Sequence, residues 1–227
     1  RMPGQAVGSP GVDLEDLNLD SPRLSPAGEV AFRTDKWRFT LGGFWFSTDK
    51  TTSPGVAGPL GSIALAPGTN VDTQMDFGSL QLDAGYLIAG GEDLREAGDA
   101  GVSFIPRLEA YAGLRADWLD FRFSSAGATT ERDELFLQPL AGLRGSLDID
   151  EQFGIELALS AGGFQSGDYQ AISWDIAAAF TWRPIENLGL QAGYRQLQFN
   201  LENDEGLDEL SYNGALAGLF VGAQLRF

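Results

Sequence analysis

Two carboxylate pairs, Glu109 with Asp117 and Glu156 with Asp175, are the residues of this chain best spaced for general acid–base work. Each of these acids alternates in sequence with arginines such as Arg107, Arg115, Arg144 and Arg183, so structural ion pairing is the expected use of the carboxyls. Among its 227 residues the chain has no histidine and no cysteine. A Ser-His-Asp relay is therefore unavailable, and so are a thiolate nucleophile, a disulfide framework and a thiolate metal site. The glycine pairs Gly42-Gly43, Gly90-Gly91 and Gly162-Gly163 lack the lysine of a phosphate-binding loop. Glycine there is expected to allow curvature or close packing. Acidic clusters at residues 203–209 and at Asp13, Glu15, Asp16 and Asp20 offer oxygens suited to Ca²⁺, but neither has the spacing of a 12-residue calcium loop. No enzymatic activity, cofactor or metal site is expected.

The elements that carry these residues read as strands. Thirty glycines, five Trp, five Tyr and 15 Phe favour an all-β chain. No run of about 18 apolar residues is present, so any membrane crossing would have to be made by a closed barrel. With a net charge of −17 and only two lysines, Lys36 and Lys50, the chain is a poor match for nucleic acid.

Apolar alternation recurs in segments of about ten residues or more, the length a tilted strand needs to cross a bilayer. Leu108, Ala110, Ala112, Leu114, Ala116 and Trp118 alternate with Arg107, Glu109, Tyr111, Gly113, Arg115 and Asp117. Trp174, Ile176, Ala178, Phe180 and Trp182 alternate in the same way with Asp175, Ala177, Ala179, Thr181 and Arg183. Eight strands are expected, at residues 37–48, 72–88, 104–123, 134–148, 153–164, 172–183, 188–200 and 211–227. Residues 29–34 look like a further strand turning through Asp35 and Lys36, and residues 12–19 could supply another, which would make ten. Phe44, Trp45 and Phe46 are apolar on both faces and blur the first segment. The short connections at 149–152 and 184–187 are assigned to one side; the longer ones at 49–71, 124–133, 165–171 and 201–210 are assigned to the other. The chain divides into an acidic Pro/Gly-rich segment, residues 1–27, and a barrel domain, residues 28–227.

Alternation places a charged set on the inner face: Arg38, Asp83, Arg107, Glu109, Arg115, Asp117, Arg144, Asp148, Glu156, Asp175, Arg183, Arg195 and Arg226. The set is nearly neutral, which is what a narrow interior requires, because an unpaired ion away from water is costly. The remaining acids are expected in loops, turns and the N-terminal segment. Trp37, Trp45, Tyr86, Trp118, Trp174, Phe180, Trp182 and Tyr194 fall at strand ends or on the apolar face, as the aromatic girdles of a membrane barrel do.

The last strand has Ala215, Ala217, Leu219, Val221, Ala223, Leu225 and Phe227 on one face, with Gly214, Gly218, Gly222, Gln224 and Arg226 between them. Its ending, with Gly222, Leu225 and the terminal Phe227, resembles the assembly signal of bacterial outer-membrane β-barrel proteins, although Leu225 departs from the commoner aromatic. Over residues 28–227 the chain resembles the small members of that class. The resemblance implies a closed antiparallel up-and-down barrel, a precursor whose signal peptide has been removed, an outer-membrane location in a Gram-negative cell envelope, and contact with membrane lipids and the assembly machinery. The function expected is a non-enzymatic anchoring or loop-presenting barrel. A narrow porin-like channel, or one component of a larger envelope assembly with another envelope protein as partner, is the alternative.

Overall fold

A computed structural model describes residues 25–53, 58–60, 63–65, 68–92, 94, 102–150, 152–167, 169–185, 187–203 and 210–225. Among the described residues eleven strands are formed: β1 (Ala27–Arg33), β2 (Trp37–Thr52), β3 (Gly58–Leu60), β4 (Ile63–Leu65), β5 (Val71–Gly90), β6 (Phe104–Ser125), β7 (Ala128–Ile149), β8 (Phe153–Ser166), β9 (Tyr169–Ile185), β10 (Leu188–Asn203) and β11 (Leu210–Leu225). Nine of them build one sheet in the order β1-β2-β5-β6-β7-β8-β9-β10-β11, and β3 with β4 forms a separate small hairpin. Every pairing in the large sheet is antiparallel. The sheet curls through 241° as an open half-barrel, so eight strands in a closed wall is not what the described residues form.

The ninth strand is β1. Val30 and Phe32 lie opposite Leu41 and Phe39, and Thr34 N donates to Trp37 O at 2.8 Å to close the tight turn through Asp35 and Lys36. A second correction concerns the segment 124–133, expected as a loop. There β6 runs on to Ser125 and β7 starts at Ala128, leaving a turn of two residues, Ala126 (φ 50°) and Gly127 (φ 85°). Two successive left-handed residues form the hairpin turn whose twist matches that of the flanking strands. The expected loops at 165–171 and 201–210 shrink similarly, because β8 continues to Ser166, β9 starts at Tyr169 and β10 continues to Asn203. The expected strand at residues 12–19 and the terminal Arg226 and Phe227 lie outside the described residues.

We call the end where β1 passes to β2, β7 to β8 and β9 to β10 the lower end, and the end holding Ala126 and Gly127 the upper. On the convex face Trp37 and Trp45 bracket a band of exposed apolar side chains on β2. Eight residues at ~3.3 Å each give about 27 Å along the strand, or about 20 Å in height at the usual barrel tilt. The band continues across neighbouring strands through Leu80, Leu82, Leu114, Leu137, Leu143, Leu157, Leu159 and Ile155. Above it the outward residues turn acidic, with Asp76, Asp120 and Asp133 in register across β5, β6 and β7. These charges had been expected in loops. They sit on strands because β5, β6 and β7 extend well above the apolar band.

Candidate functional site

The concave face has two zones. The upper zone is a dry cluster of Val71, Met75 and Phe77 from β5, Leu119, Phe121 and Phe123 from β6, Phe136 from β7, Ala171 from β9, and Leu197, Phe199 and Leu201 from β10. Phe44, Phe46, Tyr169 and Leu216 pack against it. Its centre is a ring stack made across the interior, with Phe77 and Phe199 centroids 5.1 Å apart and Phe44 and Phe46 within 5.9 Å of Phe77. Side chains from both walls meet there because the sheet curls far enough to bring β5 within reach of β10.

Below this cap the interior is polar and ordered in layers. In the first layer Arg115, only 1% exposed, donates to Asp175 Oδ2 (2.9 Å), Ser173 Oγ (3.0 Å) and Gln81 Oε1 (2.8 Å). Ser173 donates in turn to Gln138, and Gln138 donates to Asp117 at 2.8 Å. Asp175 also accepts from Arg195, so one carboxylate joins β6, β9 and β10.

The next layer is centred on Arg144. Its guanidinium lies 4.7 Å from the centre of the Tyr111 ring, and its nitrogens stand 3.5–3.7 Å from Asp83, Glu109 and Glu156. Arg38 donates to Glu156 at 2.9 Å and to Glu29 at 3.2 Å, and Arg33 pairs with Glu109 at 3.2 Å. At the lower mouth Asp148 accepts from both Arg107 and Arg183. Charges buried this deeply are tolerable only as such a connected set, since removing one partner strands the other in a poor solvent for ions. A small cavity of about 90 Å³ lies between Phe44 and the Arg144 layer, with Gln81, Asp83, Asp175 and Arg195 in its walls.

Of the thirteen charged residues assigned to the interior, twelve line the concave face in these layers, and Arg226 is outside the described residues. The proposed acid–base pairs are consumed by this bonding. Asp117 is held by Gln138 and Asp175 by two arginines, while Glu109 and Glu156 share Arg144. Glu29 and Arg33 belong to the network through β1 and were absent from the sequence-based set.

Among the aromatics, Trp45 and Trp118 meet at 6.3 Å at the upper edge of the apolar band. The Trp118 indole lies over Gly78, where any Cβ would stand 2.0 Å from the ring. Trp174 lies opposite Gln198, and Tyr194, four residues lower on β10, donates to Gln196 at 3.2 Å. Trp37 and Tyr86 make an edge contact at 5.0 Å at the lower boundary, where Phe180 and Trp182 also lie. Of the terminal motif, Gly222 faces Gln191 and Leu225 faces Leu188 in the β10–β11 ladder.

Comparison of the chain with protein-family models, with curated proteins and with solved structures finds no match. Among the described residues no group of three or more acids is placed to hold a metal ion.

Proposed function

We propose that the curled sheet is the wall of a closed β-barrel in an outer membrane, and that the barrel anchors or presents its upper strands without conducting solutes. The observation that supports the membrane reading is the exposed apolar band between two aromatic rows, which is far more continuous than a water-facing surface tolerates. The observation that supports the closed reading is the filled interior. A dry cap from five strands stands over three layers of ion pairs, and a path for ions would have to displace both.

The upper end is the outer side of the membrane in this reading, with the extended β6–β7 hairpin and the acidic rows projecting from it. Lipids and the outer-membrane assembly machinery are its partners in this reading. A second envelope protein held by the projecting strands would extend the same role.

Single-channel recording of the purified protein in a planar bilayer tests the closed reading. A folded, inserted and silent barrel is the expected result. Reproducible conductance steps would replace it with the porin-like reading, in which Arg115, Arg144 and Asp175 select the solute.

A further inference from the structure

Arg38, Thr40, Gly42 and Phe44 follow one another on the inward row of β2, and the glycine in that row projects no side chain. On the opposite wall the positions facing the same space are Ala158 of β8 and Ala177 of β9, which pair with each other. These three small residues make room for the cavity of about 90 Å³ between Phe44 and the Arg144 layer. A water takes about 10–15 Å³ of such space, and about 150 Å³ accommodates a six-carbon ring. The cavity therefore suits an organic molecule of about five heavy atoms.

Most of the charges around it are consumed. Asp175 is held by Arg115 and Arg195, and Glu29 and Glu156 share Arg38. Three polar groups in the walls are left over. Thr40 Oγ1, Asp83 Oδ1 and Arg144 Nη1 are buried with no hydrogen-bond partner among the described residues. Their residues are only 3%, 2% and 5% exposed. Thr40 and Asp83 face each other across β2 and β5, and Asp83 uses its other oxygen to accept from Gln81 at 3.0 Å. Arg144 stands 3.7 Å from Asp83 Oδ1, 3.5 Å from Glu109 and 3.6 Å from Glu156, all too far for a good hydrogen bond. A buried polar group left unmet bears its full desolvation cost. Polar gaps of this width mark a place for an intervening molecule.

We propose that the cavity binds one small zwitterionic solute, of the class of the shortest amino acids, whose ammonium group donates to Asp83 and Thr40 and whose carboxylate accepts from Arg144. The unmet groups are one carboxylate, one guanidinium and one hydroxyl, so an occupant that satisfies all three carries a donor, an acceptor and no net charge. A lone cation would be repelled by Arg144 and a lone anion by Asp83. Water meets the polar wall, but Phe44, Ala158 and Ala177 offer it no partner, whereas the carbon of a zwitterion lies against them. Glu29 and Arg195 in the walls are partly exposed, which gives the solute its way in. Phe44 packs against the dry cap and closes the cavity above, so the solute is held and not passed through, a role beyond anchoring.

Equilibrium binding of radiolabelled glycine to the full chain in lipid nanodiscs provides the test, with methylammonium and acetate as competitors. Saturable binding of glycine is expected, with each competitor, which carries half of the zwitterion, weaker by about tenfold or more. Gly42→Val fills the cavity without touching its charges, because a Cβ there meets only Glu29 at an ordinary 3.5 Å. It should abolish glycine binding and leave the urea midpoint unchanged. Should that variant fail to fold, Thr40→Val decides, since it keeps the shape and removes only the hydroxyl; binding weaker by about tenfold is expected. No saturable binding of glycine, which leaves the cavity to water alone, overturns the proposal. So does binding that both variants leave unchanged, and so does methylammonium or acetate binding as tightly as glycine, which would make this a site for a simple ion.

Discussion

Replacing Phe77 by alanine examines the two-zone interior at its centre. The ring is fully buried and stacks on Phe199 at 5.1 Å, with Phe44 and Phe46 at 5.9 and 5.7 Å. Truncation would leave a void on the order of 100 Å³ if the walls hold, which at ~24 cal/mol per Å³ is about 2.4 kcal/mol. Lost transfer of the ring from water adds about 1.5–3 kcal/mol, so the expected destabilisation is about 4–5 kcal/mol, the upper part of the usual range for such a change. Leu82→Ala, on the same strand but on the convex face, is the control. Leu82 is 55% exposed, and in the membrane reading lipid fills the space it leaves, so the expected loss is below about 1 kcal/mol. Urea unfolding from lipid vesicles, followed by tryptophan fluorescence, measures both. Equal losses, or a larger loss for Leu82→Ala, would refute the assignment of faces and with it the dry cap.

Three further outcomes are expected. Leu157→Arg or Ile176→Arg, each on the convex face, should cost about 2–4 kcal/mol near mid-membrane in the same unfolding assay; unchanged stability for both would remove the lipid-facing band. Asp175→Asn leaves Arg115 and Arg195 without their shared counter-charge, and a loss of about 3–5 kcal/mol is expected, against almost none for the exposed rim change Glu131→Gln. Gly78→Val must displace the Trp118 indole that covers it, costing about 1–3 kcal/mol and shifting tryptophan emission to the red as the ring leaves its site; an unshifted spectrum would count against the contact.

Much of the sheet could be read from alternation, because a strand whose two faces differ in polarity cannot tolerate slippage. Residues 104–118 illustrate this: Arg107, Glu109, Arg115 and Asp117 lie on the concave face and Leu108 and Leu114 on the convex one. The upper zone was missed for a reason visible in the same strands. On β5 the apolar residues fall at 71, 75 and 77 above and at 80, 82, 84 and 86 below, so the phase inverts between Phe77 and Leu80. On β6 it inverts between Trp118 and Leu119. Below the inversion apolar means outward, and above it apolar means inward, as the membrane reading expects where water replaces lipid outside. Alternation with one phase per strand fades above that point, which is why the expected strand ends at residue 123 and residues 124–133 read as a loop, whereas β6 runs on to Ser125 and β7 starts at Ala128. The run of Phe44, Trp45 and Phe46 has the same origin, with Trp45 outward at the boundary and both phenylalanines inward in the cap. Strand β1 was ambiguous because seven residues at an edge carry too few periods to decide by pattern, and its pairing partners are needed to settle its register.

The two-residue turn at Ala126 and Gly127 gives the molecule a practical use. From Trp118 at the boundary to Ser125 the chain climbs seven residues, about 23 Å along the strand, and both sides of the climb are braced by a continuous ladder from Trp118 with Leu135 to Ser125 with Ala128. A peptide spliced between Ala126 and Gly127 would therefore ride on a stiff mast instead of a loose loop. In the membrane reading its distance from the lipid would be set by counting residues, which would make this hairpin a ruler for displaying foreign sequences at a chosen height.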